Sequence, residues 1–262
     1  MLLRASCYLE FDITAPTPFI FMLRPRSGAH QWIVSEEYKH FPRIPIVEFT
    51  DNYGNLCQRL IAPPGQFTIS TSVDIETSGN ADRNPGAPFI DIAFLPDAAL
   101  SYLLPSRFCE SDRLLSMAAD ISAGCLLGYD QVNAIEQWIH HNLRYDIEGS
   151  DTLLSATEVI ERGSGVCRDF AHVGIALCRS ISIPARLVVG YLYELEPMDL
   201  HAWFEAFIGG RWYTFDATQA SLNGGYVIVG YGRDAADVAV FNQFGPPCPA
   251  TRQNISVELI QR

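Results

Sequence analysis

Lysine is almost absent from this chain of 262 residues: Lys39 is the only lysine among 18 basic residues. The 30 acidic residues outnumber the basic ones, so the formal net charge is −12 at pH 7. An acidic surface repels the phosphate backbones of nucleic acids. We therefore expect no nucleic acid among the partners of this protein.

Long apolar stretches are also missing. No uninterrupted apolar run approaches the ~18 residues that a membrane-spanning helix needs. The first segment of the chain already contains Glu10 and lacks the apolar centre of a signal peptide. We therefore expect no membrane partner and a cytoplasmic location, while the sequence leaves the oligomeric state open.

Cysteines are present but not in paired spacings. No two of the seven form a C-x-x-C pair, which argues against a zinc site and against a disulfide framework. We accordingly expect no metal, no cofactor and a reducing compartment. The seven are Cys7, Cys57, Cys109, Cys125, Cys167, Cys178 and Cys248.

The remaining composition, 48% hydrophobic and 18% charged, is that of an ordinary globular protein. Residues 3–12 and 67–76 alternate between apolar and polar side chains, which is the pattern of half-buried strands. Residues 51–55 form a turn signal between two further strand-like runs. Short strands at this spacing predict a β-sandwich over residues 1–78.

Helical periodicity dominates the chain after a stretch rich in glycine and proline. We predict a linker over residues 79–98 and a catalytic core with helices over residues 99–262, so the fold class is α+β. The clearest helix covers residues 130–143. We interpret His140 and His141 as part of its solvated face rather than as catalytic groups. Further strands are predicted at residues 226–230 and 254–260.

A Gly-Ser-Gly turn at residues 163–165 leads into Cys167 and an amphipathic helix. At the start of a helix the backbone N–H groups are free, and the macrodipole adds roughly half a positive charge. Both favour a thiolate, which is the nucleophilic form of cysteine. A buried and inert cysteine is the alternative that this stretch alone leaves open. His172 lies roughly 140° further round the helix and is not expected to serve the thiol.

Residues 199–218 predict a β-hairpin, because two strand-like runs flank a Gly-Gly pair. With a two-residue loop, His201 and Asp216 become diagonal neighbours on one face of the sheet, with Cβ atoms roughly 7 Å apart. A histidine oriented by an aspartate is the base half of a nucleophilic triad. We therefore infer that Cys167, His201 and Asp216 form a catalytic triad.

Other interpretations of these residues stay open at this point. His201 can be an ordinary hydrogen-bonded residue of a sheet, and Asp216 can cap a turn. A metal site is a further alternative, although three ligands without a second cluster fit zinc poorly. We expect Arg186, on a predicted strand, to form a structural ion pair.

Three short motifs carry a family resemblance: Gly-Val-Cys-Arg-Asp-Phe-Ala around Cys167, His-Ala-Trp at His201 and Phe-Asp-Ala-Thr around Asp216. Together they resemble the transglutaminase-like superfamily, in its bacterial branch of cysteine protease-like proteins. The resemblance covers about residues 125–240 and is weaker over residues 1–78. It implies a papain-like core, in which a helix bearing the cysteine packs on an antiparallel sheet, and it assigns the catalytic roles to the same three residues.

The resemblance also implies acyl-thioester chemistry on an amide bond. We expect hydrolysis of a peptide or related amide substrate. Transfer of the acyl group to an amine, as in a transglutaminase, and a binding scaffold without turnover are the alternatives. No acidic D-x-D-x-D run like the calcium loops of animal transglutaminases occurs. The backbone N–H of Cys167, with a side chain from residues 138–145, is expected to stabilise the oxyanion.

Overall fold

The computed structural model describes residues 1–28, 30–147, 153–221 and 223–261. Its strands are β1 (Leu2–Ile13), β2 (Thr17–Phe21), β3 (Gln31–Phe41), β4 (Val47–Thr50), β5 (Leu56–Ala62), β6 (Gly65–Thr77), β7 (Arg144–Tyr145), β8 (Ser164–Gly165), β9 (Ala185–Leu192), β10 (His201–Ile208), β11 (Arg211–Phe215), β12 (Tyr226–Gly232), β13 (Phe241–Gln243) and β14 (Arg252–Gln261). Its α-helices are α1 (Asp97–Leu100), α2 (Leu115–Ile121), α3 (Tyr129–Asn142), α4 (Ala156–Arg162) and α5 (Cys167–Ser180). Short 3-10 turns cover Ile92–Phe94, Ser101–Leu103 and Ser111–Arg113.

Two four-stranded antiparallel sheets form the predicted β-sandwich. One sheet has the strand order β14-β1-β6-β3 and the other has the order β13-β2-β5-β4. Alternate side chains of β1 and β6 are buried, as their two-residue periodicity predicts. Phenylalanine rings fill the space between the sheets: the ring centroid of Phe11 lies 5.2 Å from that of Phe19 and 5.1 Å from that of Phe241.

The sandwich also contains strands from the end of the chain, which corrects the predicted assignment of all of residues 99–262 to the core. β13 pairs with β2, and β14 pairs with β1 along most of its length. The physical reason is that β1 would otherwise present an open edge of unpaired N–H and C=O groups. β14 covers that edge and buries Val257. The strands predicted from the sequence at residues 226–230 and 254–260 are present as β12 and β14.

A third four-stranded antiparallel sheet, with the order β11-β10-β9-β12, packs against the helices. α5 packs against β10 and β9. The approach is so close that a Cβ at Gly174 would lie 2.5 Å from the Phe204 ring, so only glycine fits there. The β10–β11 hairpin has the predicted register, since Ile208 faces Arg211.

One face of this sheet is shared between α5 and the sandwich. Ala185 and Leu187 of β9 belong to the apolar cluster that contains α5. Tyr191, further along the same strand, belongs to the cluster of the sandwich. Val189 lies between them and packs against both clusters. The sandwich and the helical layer therefore meet on β9.

Residues 79–98, predicted as a linker, pack along the core. The Gly209 N–H donates to the Pro88 carbonyl at 3.0 Å, and Pro88 forms an antiparallel bridge with Gly128. Gly128 has a φ of +110°, and a Cβ there would lie 2.4 Å from the Ala87 carbonyl oxygen. Glycine is therefore required where this connection crosses the start of α3.

His172 is fully buried on the inner side of α5 and connects three segments. Its ring stacks on Phe108 with centroids 5.3 Å apart. Its Nδ1 donates to the Leu154 carbonyl at 3.3 Å, and its Nε2 accepts the Ala235 N–H at 3.2 Å. These bonds use both ring nitrogens in a neutral imidazole, so His172 does not serve Cys167. Burial lowers the pKa of His172 to about 4, although nearby carboxylates oppose the shift.

We predict that His172 makes the fold sensitive to mild acid. The unfolded chain binds the histidine proton below pH ~6.5, whereas the folded protein resists it to about pH 4. Above pH ~6.5 His172 does not reduce the free energy of unfolding. Below that pH the free energy of unfolding falls by up to about 1.4 kcal/mol per pH unit. Urea unfolding at pH 7.5 and 5.0 measures the difference, and His172→Gln should shrink it by about 2 kcal/mol.

The matched control is His141→Gln, because His141 is exposed on α3. This variant should keep the wild-type difference between the two pH values. An equal difference in wild type and His172→Gln would show that His172 is not the group responsible.

Candidate active site

Cys167 is the first residue of α5, a helix of 14 residues. The Val166 N–H donates to Asp169 Oδ2 at 3.1 Å, so Asp169 caps the helix start. The side chain of Cys167 is partly exposed, whereas Cys178 on the same helix is fully buried. Cys167 thus lies where free N–H groups and the helix macrodipole favour a thiolate.

His201 and Asp216 are brought together by the β10–β11 hairpin. His201 begins β10, and Asp216 directly follows β11. The His201 Nε2 donates to Asp216 Oδ2 at 2.7 Å, and both residues are at most 3% exposed. Cys167 and His201 line one cavity, and Cys167 lies near enough to contribute to the raised pKa of His201, so the three residues that the sequence singled out are grouped together.

Asp216 has further donors besides His201. The Thr218 N–H and hydroxyl donate to its Oδ1 at 3.1 Å and 2.6 Å, and the Tyr226 hydroxyl donates to its Oδ2 at 2.9 Å. Burial favours the neutral acid, but the charge of His201 and these hydrogen bonds outweigh it, so the pKa of Asp216 is lowered. The sequence did not identify Tyr226, because it enters from β12 and no local spacing connects it to the hairpin.

His201 is held in its charged form. Burial alone would lower the pKa of His201, but the charge and hydrogen bond of Asp216, with those of Cys167, raise it to about 10. Since Nε2 is bonded to Asp216, Nδ1 is the nitrogen left for Cys167. Trp203 stacks on the imidazole with ring centroids 5.9 Å apart. The ring is thereby fixed between a carboxylate and a thiol.

Tyr145 lies on the other side of the cysteine. Tyr145 lines the same cavity as Cys167 and lies near enough for the cysteine to affect the pKa of the phenol. Burial and the negative charge of Cys167 together raise the pKa of Tyr145, so the phenol keeps its proton. It belongs to the segment, residues 138–145, from which the sequence predicted an oxyanion donor.

Two side chains of α3 bond to the main chain just after β11. Glu136, which is 3% exposed, accepts the Asp216 N–H at its Oε1 at 2.7 Å. His140, one turn further along, donates from Nδ1 to the Ala217 carbonyl at 2.9 Å. Burial raises the pKa of Glu136 to about 7. The sequence pattern did not reveal Glu136 as part of the site, and His140, expected on the solvated face, bonds to the main chain instead.

A cavity of about 810 Å³ opens over Cys167 and His201. Its walls are mainly apolar and come from β9, the segment 195–200, and residues 238–242. Besides His201, the charged residues in its lining are Arg168, Glu196 and Asp199. Such a space accommodates a peptide-sized substrate with the scissile bond over the thiol.

Arg186 does not line this cavity and forms the expected ion pair. Its guanidinium bonds to Glu205 at 2.6 Å and stacks between the rings of Trp212 and Tyr231. Within the described ranges, no three His, Cys, Asp or Glu side chains are grouped so that they could bind a metal ion. No helix in the described part of the chain has the length and apolar character needed to cross a membrane.

Comparison with known proteins gives a family match and a solved structure that matches along the whole chain. The family profile described as "Transglutaminase-like superfamily" matches residues 115–217. A crystal structure of a "Putative Cysteine Protease from Cytophaga hutchinsonii" is 35% identical and superposes with a TM-score of 0.91. The match covers 100% of this chain and 91% of that one.

A curated relative extends the similarity over most of the chain. An uncharacterised protein of Mycobacterium leprae is 26% identical over 253 residues, which is 90% of this chain and 89% of the relative. The similarity therefore includes the sandwich as well as the helical core. The family profile and the full-length structural match show that this chain belongs to the transglutaminase-like superfamily.

Proposed function

We propose that this protein is a thiol enzyme that acts on amide bonds through an acyl-thioester intermediate, and that the usual outcome is hydrolysis. The observation that carries the proposal is the grouping of Cys167 and His201 at one peptide-sized cavity, with the Nε2 of His201 bonded to Asp216. The Cytophaga relative, named as a putative cysteine protease, supports the same class of reaction.

The first half of the reaction forms the thioester. The thiol proton resides on His201, and the Cys167 thiolate attacks the carbonyl carbon of the amide. The resulting oxyanion receives hydrogen bonds from the Cys167 N–H and the Tyr145 hydroxyl. As the C–N bond breaks, the imidazolium protonates the leaving amine, and the acyl group stays on the sulfur.

The second half releases the acyl group. His201, now neutral, removes a proton from a water molecule, which attacks the thioester carbonyl. The C–S bond breaks, the carboxylic acid leaves, and the cysteine and imidazole return to their starting state. Asp216 remains ionised throughout, fixing the ring and stabilising the imidazolium in each step. An amine in place of water would give acyl transfer by the same route.

Alkylation tests the nucleophile. We predict that brief iodoacetamide treatment near pH 6 labels Cys167 first, because the helix start and the His201 imidazolium favour its thiolate. Burial raises the pKa of Cys7 to about 12 and that of Cys57 to about 11, so these thiols should stay unlabelled. Peptide mass spectrometry identifies the labelled residue.

Cys125 serves as the internal control, because it is also partly exposed but begins no helix. His201→Ala should slow the labelling of Cys167 to the rate of Cys125. Equal labelling of both cysteines in the wild-type protein would contradict the nucleophile assignment.

Substitution of Asp216 tests the third residue of the proposed catalytic triad. Asp216→Asn should leave the fold intact but slow the acylation step roughly 10²-fold or more, because the amide permits the wrong imidazole tautomer. Asp216→Ala should lose a similar factor. Asp82→Asn, at a surface ion pair with Arg211, is the control and should keep the wild-type rate. Near-normal rates in both Asp216 variants would make this residue a structural cap.

The fate of the acyl group decides between hydrolysis and transfer. We expect a panel of peptides and glutamine amides to yield free acid as the main product, even with an excess of a primary amine. Product masses distinguish the acid from the amine adduct. A dominant adduct at modest amine concentration would identify a transferase, and the absence of any acyl-enzyme with every substrate would identify a binding scaffold.

A further inference from the structure

The strand end that carries Asp216 is fixed to α3 at two points. Glu136 Oε1 accepts the Asp216 N–H at 2.7 Å, and His140 Nδ1 donates to the Ala217 carbonyl at 2.9 Å. Glu136 and His140 are four residues apart and therefore lie on one face of the helix. We name this pair of contacts the α3 clamp.

The choice of glutamate at position 136 is energetically expensive. The side chain is 3% exposed, and among the described residues its Oε2 has no hydrogen-bond partner. A buried carboxyl with an unpaired oxygen costs more than a neutral side chain of similar size. If the position only filled space in the core, an apolar residue would be more stable there.

The clamp acts on the part of Asp216 that the other contacts do not hold. His201, Thr218 and Tyr226 all bond to the carboxylate, whereas the Asp216 N–H donates to Glu136 and to no other group in the described part of the chain. A displacement of about 1 Å in the main chain would move Oδ2 away from His201 and weaken catalysis strongly.

We propose that Glu136 is a positioning residue of the triad, which holds the main chain of Asp216 in register with His201 and places an ionisable charge behind it. The proposal rests on the function proposed above. It assigns a role to a residue that touches neither the substrate cavity nor the thiol.

The groups that face Glu136 come from every element around it. They are Asp216 after β11, Arg83 from the connection, Tyr226 from β12, Cys178 from α5 and Tyr129 from its own helix. Burial raises the pKa of Glu136 to about 7, while the Asp216 N–H and Arg83 oppose the shift. Its charge therefore changes in the neutral range, where His201, with a pKa of about 10, stays protonated.

Two measurements that need no substrate test the proposal. The first follows the His201 ring N–H proton by NMR between pH 5 and 9. In the wild-type protein its shift should move with a midpoint near pH 7. In Glu136→Gln it should stay at the wild-type low-pH position, because glutamine still accepts the Asp216 N–H and mimics the protonated acid.

The second measurement is the rate of Cys167 alkylation at pH 6. Glu136→Ala lacks the acceptor, so its rate should fall roughly tenfold, because a displaced Asp216 no longer holds His201 in place. Glu136→Gln keeps the acceptor and should stay within about threefold of the wild-type rate. All proteins should react at similar rates near pH ~9.5, because an ordinary cysteine thiol is already largely deprotonated there. Glu161→Gln, which removes an exposed charge on α4, is the control and should behave as wild type in both measurements.

Each outcome decides the question. A titrating ring proton in Glu136→Gln, or wild-type alkylation in a folded Glu136→Ala, would overturn the positioning role. If Glu136→Ala does not fold, the NMR profile of Glu136→Gln is sufficient for the decision. A wild-type protein whose Cys167 reacts no faster than Cys125 at pH 6 would instead refute the proposed function itself.

Discussion

The buried ion pair between His201 and Asp216 is the interaction on which the site depends. Removing two charges from water costs several kcal/mol per ion unless other groups replace the lost hydration. Asp216 therefore takes donors from His201, Thr218 and Tyr226, while its main chain bonds to Glu136. These partners come from β10, the turn after β11, β12 and α3. The sheet and the helical layer must both be formed before the pair is stable.

Burial, which makes the ion pair costly, also keeps the other buried cysteines unreactive. Burial raises the pKa of Cys7 to about 12 and keeps Cys178, on the same helix as Cys167, away from solvent. Cys167 differs in its surroundings alone: it is partly exposed, begins α5 and faces the imidazole. We therefore expect the reactivity of a cysteine in this chain to depend on its position in a helix or strand and on its exposure.

The sequence predicts those parts of the site that are determined by the local spacing of residues. A Gly-Gly loop fixes the register of β10 and β11, and so it predicts that His201 and Asp216 meet. Tyr226 and Glu136 reach Asp216 only through tertiary packing, so no spacing in the hairpin predicts them. The one available signal was a glutamate within the apolar stripe of α3. Likewise, the alternation of β14 predicted a strand, but only the open edge of β1 determines where it pairs.

The sandwich contributes to the proposed reaction through the walls of the cavity. Phe241 lines the cavity and also packs on Phe11, 5.1 Å away in the sandwich core. Val189, which also lines the cavity, contacts both the sandwich cluster and the cluster of α5. Hydrolysis and amine transfer use the same triad and differ in how far water is kept from the thioester. We therefore propose that this junction of sandwich and core influences the choice between the two outcomes, because residues there line the cavity above Cys167.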